Sequence, residues 1–131
     1  MTHHRHPVTA DGAPDAIGPY SHAVTSNGLL FCSGQVALDP ATGELIDGGV
    51  GDQTRRCLDN LAAVCAAAGA SLSDAVRLTV YAADLPGDWA AINDAYGSYF
   101  GEGPPARVAI GVAALPKGAR VEIDAVVALP D

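Results

Sequence analysis

The apolar positions along the chain change period several times, and each change marks an element. Leu-Leu-Phe-Cys-Ser-Gly-Gln-Val, residues 29–36, is a short apolar run of strand length. The segment 23–26 lies just upstream, and Asn27-Gly28 between two apolar runs is a strong hairpin signal. Asp39-Pro40-Ala41-Thr42-Gly43 reads as a second turn. The period then becomes helical. Cys57, Leu61, Val64 and Ala68 recur at spacings of four, three and four, which predicts a helix over about 52–68. Asp52 is the expected N-cap, and Gly69 suits the left-handed position past the C-terminus. Over 75–83, Val76, Leu78 and Val80 alternate with Arg77, Thr79 and Tyr81, the pattern of a strand. A second helix is expected over about 88–100, with Trp89, Ile92, Tyr96 and Tyr99/Phe100 as its apolar stripe. Gly101-Glu102-Gly103-Pro104-Pro105 ends it. Residues 107–114 and 121–128 read as two more strands, joined into a hairpin by Leu115-Pro116-Lys117-Gly118.

The order is β-β-α-β-α-β-β, an α/β fold with one mixed sheet and two helices packed on one face. Residues 1–12, polar and rich in histidine, are expected to be a flexible N-terminal tail. Residues 13–131 form a single domain, in keeping with a chain of 131 residues. One sheet face then lacks cover, and a neighbouring subunit is the economical way to supply it. Composition sharpens this expectation. The chain has 25 alanines and 15 glycines but only seven aromatic residues, so each side chain supplies little apolar area.

Charge narrows the partners. The net charge is −8, and the seven basic residues are scattered, which argues against nucleic acid and anionic membranes. No apolar run reaches the roughly 18 residues of a membrane span, and the N-terminus lacks the apolar core of a secretory signal. Cys57 and Cys65 would lie about 12 Å apart along one helix, too far for a disulfide. Three reduced, partly buried thiols in a cytoplasmic protein are therefore expected. No cysteine or histidine pair has zinc-ligand spacing, and no cofactor motif is present: Gly48-Gly49-Val50-Gly51 lacks the lysine of a phosphate loop.

What remains for chemistry is a small set of polar residues in apolar surroundings. Arg107 opens a strand whose same-face neighbours, Ala109, Gly111 and Ala113, are all small. It is either a surface residue at a strand end or a fork for a carboxylate. Glu122 is either the solvated side of an alternating strand or, in a closed pocket, a general acid or base. Tyr20, fixed by Gly18-Pro19, either packs or closes a pocket. Ser33 lies in Cys-Ser-Gly-Gln rather than in a nucleophile elbow. Asn93 sits mid-helix, where asparagine has low propensity, and is expected to support a loop or a ligand.

These motifs together resemble the RidA (YjgF) family. Ala13-Pro14-Asp15-Ala16-Ile17-Gly18-Pro19-Tyr20-Ser21 is similar to its N-terminal signature, and Ser33-Gly34-Gln35 with Asp39-Pro40-x-Thr42-Gly43-Glu44 to its second motif. Gln53-Thr54, Asn60-Leu61, Asn93 and Tyr96 resemble its helix positions. Pro105-Ala106-Arg107, Leu115-Pro116-Lys117-Gly118 and Val121-Glu122-Ile123 resemble its C-terminal signature. The resemblance runs in order from about Ala13 to Ala128. His22 departs from it, standing where glutamine is common, and Val108 stands where small or thiol residues are also seen.

The resemblance implies a chorismate-mutase-like fold and a homotrimer with ligand clefts between subunits. It also implies hydrolysis of reactive 2-imino and 2-enamino acids, such as 2-aminoacrylate and 2-aminocrotonate, to 2-oxo acids and ammonia, without a cofactor. Arg107 would grip the substrate carboxylate and Glu122 would orient or deprotonate water. Ser33, Gly34 and Tyr20 would line the pocket, with Asn93 near the substrate. Alternatives are a pathway-specific relative acting on another small imine or enamine, and a non-catalytic ligand-sensing trimer. The ribonuclease activity described for some members fits poorly with a charge of −8. A terminal hairpin would pair Arg107 near Val126 and leave Glu122 about 13 Å along the strand. On that register the site draws on more than one chain.

Overall fold

The computed structural model describes residues 4–131. His3 of the expected tail lies outside the described residues, as do Met1 and Thr2. Six strands form one sheet: β1 (His6–Val8), β2 (Ala23–Ser26), β3 (Leu29–Val36), β4 (Ala75–Ala82), β5 (Ala106–Gly111) and β6 (Val121–Ala128). Their order across the sheet is β1-β2-β3-β6-β4-β5. Two helices, α1 (Val50–Ala67) and α2 (Leu85–Phe100), connect β3 to β4 and β4 to β5. The sheet is mixed. β4 and β5 run parallel, while β6 is antiparallel to both β3 and β4.

The β2–β3 turn is as expected, with Asn27 at φ 52° and Gly28 at φ 78°, the left-handed pair that a two-residue hairpin requires. The first helix begins two residues early. Gly49 is its N-cap, and Asp52 sits at N3, where its Oδ2 accepts the Gly49 N–H at 3.2 Å. Asp52 thus completes the cap from inside the helix rather than occupying the cap position. At the other end Gly69 takes φ 74°, and Ala70 N–H donates to the Cys65 carbonyl, closing the helix as expected. The second helix starts at Leu85, capped by Asp84, which accepts from Gly87 N–H.

The core lies between the helices and one sheet face. Leu30, Leu78 and Ile123 of the sheet meet Leu58, Leu61 and Ile92 of the helices, all fully buried. Cys32, Cys57 and Cys65 are buried free thiols. Val76 does not join them. A register irregularity between Ala75 and Arg77 turns it outward, 51% exposed.

Two expectations are corrected. The segment read as a tail contributes β1, an edge strand paired with β2 (Pro7 opposite Val24), and Ala10 behind it is 2% exposed. A three-residue strand containing proline has no periodic signal, and an edge is where proline is tolerated. The terminal hairpin does not exist. β5 pairs only with β4, and β6 inserts between β3 and β4. The physical reason is the crossover: α2 carries the chain back over the sheet and lays β5 parallel to β4. The connection 112–120 then returns the chain to the far side of β4. Within it a short 3₁₀ turn, Pro116–Gly118, places Lys117 at φ 62°.

Candidate active site

Directly paired residues of neighbouring strands share a sheet face, so register assigns each candidate to a face. Glu122 lies opposite Tyr81 on β4 and Val36 on β3. Its sequence neighbours Val121 and Ile123 are fully buried under the helices, so Glu122 points to the face without helices. Arg107 lies opposite Leu78, which in turn lies opposite Ala125. Both of those are buried under the helices, so Arg107 is on the helix-covered face, at the edge of the sheet.

Glu122 lines a cavity of about 220 Å³. The segment between β1 and β2 supplies Pro14, Asp15, Ile17 and Tyr20. Ser33, Gly34, Gln35 and Val36 of β3 form its floor, with Leu38 and Pro116 at the rim. The β3–β6 register slips between Cys32 and Gln35. This bulge frees Ser33 and Gly34 from the ladder beside Glu122. A Cβ added at Gly34 would overlap the Glu122 Oε2, so the position admits only glycine while that carboxylate stays where it is. Ser33 Oγ donates to the Ser21 carbonyl at 2.7 Å. With its proton committed to a backbone acceptor, Ser33 is an acceptor toward a ligand and not an activated nucleophile. Tyr20 is 43% exposed, and its hydroxyl accepts from Ile17 N–H at 3.2 Å, which leaves the phenolic proton free to donate into the cavity. Burial raises the pKa of Glu122 above the ordinary carboxylate value, and the charge of Asp124 two residues on adds to the effect. Both act against the ionised form. Asp124 itself is held by Tyr81, whose hydroxyl donates to Oδ2 at 2.9 Å.

The Arg107 cluster is built from α2. Arg107 Nη1 donates to Asn93 Oδ1 at 2.7 Å. The guanidinium carbon lies 5.4 Å from the Trp89 ring centroid and 4.9 Å from that of Tyr96, within cation–π range of both. Among the described residues no carboxylate pairs with Arg107; the ion pairs are Arg55–Asp52 and Arg120–Asp88. Two aromatic faces and one amide thus hold the guanidinium in place, and its remaining donors are unspent on acids. Asn93 is placed to orient Arg107. Trp89 was expected to pack as part of the apolar stripe but is 45% exposed, because its ring serves the arginine rather than the core.

The structure therefore brings Tyr20, Ser33, Gly34 and Glu122 together, and brings Arg107 and Asn93 together, but does not join the two sets. Along β4 they are three residues apart, and across the sheet two strands, or about 14 Å between backbone positions, on opposite faces. Sequence reading did not find Trp89 as a partner of Arg107, nor Gln35 and Pro116 as cavity residues. The proline and glycine that follow Leu115 and Lys117 were the available signal for the second of these.

A family model described as Endoribonuclease L-PSP matches residues 10–129. The chain belongs to the RidA (YjgF) family. A RutC family protein of Pyrococcus horikoshii is 46% identical over 119 residues, covering 91% of this chain and 94% of the relative. A 2-iminobutanoate/2-iminopropanoate deaminase of Capra hircus is 45% identical over 119 residues, covering 91% and 86%. The crystal structure of RidA from an Antarctic Psychrobacter superposes with a TM-score of 0.90 at 40% identity, covering 95% of this chain and 99% of that one. The chain has the RidA fold, of chorismate-mutase-like architecture. No helix among the described residues is long and apolar enough to cross a membrane.

Proposed function

We propose that this RidA-family chain hydrolyses reactive 2-imino and 2-enamino acids, of the 2-aminoacrylate and 2-aminocrotonate type, to 2-oxo acids and ammonia. In this reading it acts as a homotrimer whose sites lie between subunits. The observation that carries the reading is the separation of the two residue sets on opposite sheet faces. A base in a cavity on one sheet face and a carboxylate fork at an edge of the other make sense as two halves contributed by adjacent subunits. Phe31, Val108 and Ile110, exposed by 45, 43 and 42%, line the helix-free face. Apolar surface of this kind is what an interface covers.

The chemistry follows from the two halves. The partner subunit's Arg107 binds the substrate carboxylate through paired N–H donors, placing C2 of the imine over Glu122. The Glu122 carboxylate takes a proton from water as the water oxygen bonds to C2, and the imine nitrogen gains a proton. In the resulting carbinolamine Glu122 returns its proton to the nitrogen, the C–N bond breaks to release ammonia, and the hydroxyl proton goes to the solvent that protonated the imine nitrogen, leaving the 2-oxo acid. The imine carbon is electrophilic by itself, so positioning and one base suffice. Similarity to the goat deaminase supports this activity. The nuclease named in the family description finds no support in the charge: a pI of about 4.6 and scattered basic residues provide no phosphate track. Three buried free thiols suit a reducing compartment, the cytoplasm.

The test is direct. A serine dehydratase generates 2-aminoacrylate in situ, and pyruvate release is followed with and without this protein. Acceleration is expected, together with a sedimentation mass of three chains at micromolar concentration. An assembled protein that leaves the rate unchanged contradicts the deaminase reading.

A further inference from the structure

We propose that His22 is a positioning residue of the Glu122 cavity, a clasp with two ends that holds the wall segment from Ala10 to Tyr20 over the cavity floor. The inference rests on the functional reading only for its kinetic arm. The geometry comes first. His22 lies just before β2 and is 6% exposed. Its Nδ1 accepts the Ala10 N–H at 2.9 Å, and its Nε2 lies 2.8 Å from the Pro14 carbonyl oxygen. A carbonyl oxygen only accepts, so Nε2 carries the proton and donates, while Nδ1 keeps its lone pair for Ala10. One neutral tautomer satisfies both ends at once.

The two bonds are distinctive in what they tie. The wall segment is otherwise held by hydrogen bonds within itself: Ala13 N–H to Ala10, Tyr20 N–H to Gly18, and Ile17 N–H to the Tyr20 hydroxyl. Among the described residues, no other hydrogen bond links positions 10–20 to the rest of the chain. Ala10 and Ala13 are buried in the core, but residues 15–20 are exposed. The wall therefore hangs from its buried start and from His22. The same residue also meets the floor, since its backbone carbonyl accepts Ser33 N–H at 3.0 Å, and Ser21 beside it accepts Ser33 Oγ. His22 thus joins the wall bearing Pro14 and Tyr20 to the floor bearing Ser33 and Gly34, without lining the cavity itself.

A glutamine amide offers one acceptor and one donor at nearly the separation of the two imidazole nitrogens, and alanine offers neither. The full chain is compared as wild type, His22→Ala and His22→Gln. Hydrogen exchange is read on peptides covering 10–20 and on peptides from β3 and β6. Loss of two hydrogen bonds in His22→Ala should speed exchange across 10–20 by about tenfold or more, leave the strands unchanged, and be reversed in His22→Gln. With in situ 2-aminoacrylate as substrate, His22→Ala should raise KM by about tenfold with little change in kcat, and His22→Gln should restore KM. If His22→Ala does not fold, His22→Asn serves instead. Its Oδ1 stands near the Nδ1 position, so it keeps the Ala10 bond and loosens the Pro14 end alone. Unchanged exchange over 10–20 in His22→Ala or His22→Asn overturns the clasp. So does a His22→Gln protein that exchanges as fast as His22→Ala. A wild type without deaminase activity overturns the functional reading instead, and the exchange data still decide the clasp.

Discussion

The Glu122 cavity and the Arg107 cluster, the two halves of the proposed site, are built by different means. The Glu122 half is a floor of backbone. A bulge in β3, a glycine with no room for a Cβ, and a serine whose proton is committed to a carbonyl bring the chain up against one carboxylate. The Arg107 half has little backbone in it. A long cation stands between two aromatic rings and one amide on a helix. The first admits a side chain at Gly34 only if the Glu122 carboxylate moves, and its burial tunes a proton affinity. The second tolerates changes in its supports but not in the charge it presents. On the proposed reading, backbone sets the place of the base and assembly delivers the binding group.

Consequences of this contrast rank by size. Arg107→Ala should abolish turnover while leaving secondary structure and assembly intact, because nothing else in its half can grip a carboxylate. Loss of both N–H donors of the fork, at about 1.5–3 kcal/mol each, costs about 3–6 kcal/mol, or about 10²- to 10⁴-fold, in kcat/KM. Steady-state kinetics on an assembled, folded variant are the check. Gly34→Ala should come next, lowering kcat by about 10²-fold, as the added methyl displaces Glu122 by a fraction of its working distance. A crystal structure of that variant should show the carboxylate moved.

The pH profile tests the electrostatic side of the same half. A general base works ionised, and burial together with Asp124 holds Glu122 protonated to higher pH than an ordinary carboxylate. The rate should therefore fall as pH drops through a midpoint above that of an ordinary carboxylate. Asp124→Asn, which keeps a group for Tyr81 to donate to but removes the charge, should move that midpoint down. A midpoint that does not move assigns the shift to burial alone. The smallest effect is expected in the Arg107 half. Trp89→Leu removes one of two stacking faces, worth about 0.5–1 kcal/mol at an exposed site, and should raise KM only a few-fold.

Much of this was legible in the sequence, and the failures share one cause. Hairpin, helices and strand limits follow from local patterns such as Asn27-Gly28 and the Cys57–Leu61–Val64 spacing, which act over a few residues. Strand neighbours are set by long connections that local patterns do not report. Leu115-Pro116-Lys117-Gly118 has the composition of a hairpin turn, yet β6 crosses to the far side of β4. The expectation of a site shared between chains was drawn from that hairpin. The separation of the two halves has a different origin, the opposite faces assigned by the β4 register. Family motifs named Tyr20, Ser33, Gly34, Arg107 and Glu122 but carried no face. His22 was visible only as a departure from the family pattern, because its role depends on two backbone groups that sequence does not display.

The claim that the site is divided between subunits has one direct measurement. Arg107→Ala and Glu122→Gln chains, each inactive alone, are dissociated reversibly, mixed in equal amounts and reassembled, with mixed trimers verified by native mass spectrometry. If adjacent chains supply the two residues, some interfaces regain an intact Arg107 opposite an intact Glu122, and roughly a quarter of the sites should be whole on random assembly by the closed symmetry of a trimer. Partial recovery of deaminase activity is the predicted result. Mixed trimers that remain inactive would place both residues in one chain's site and contradict the account.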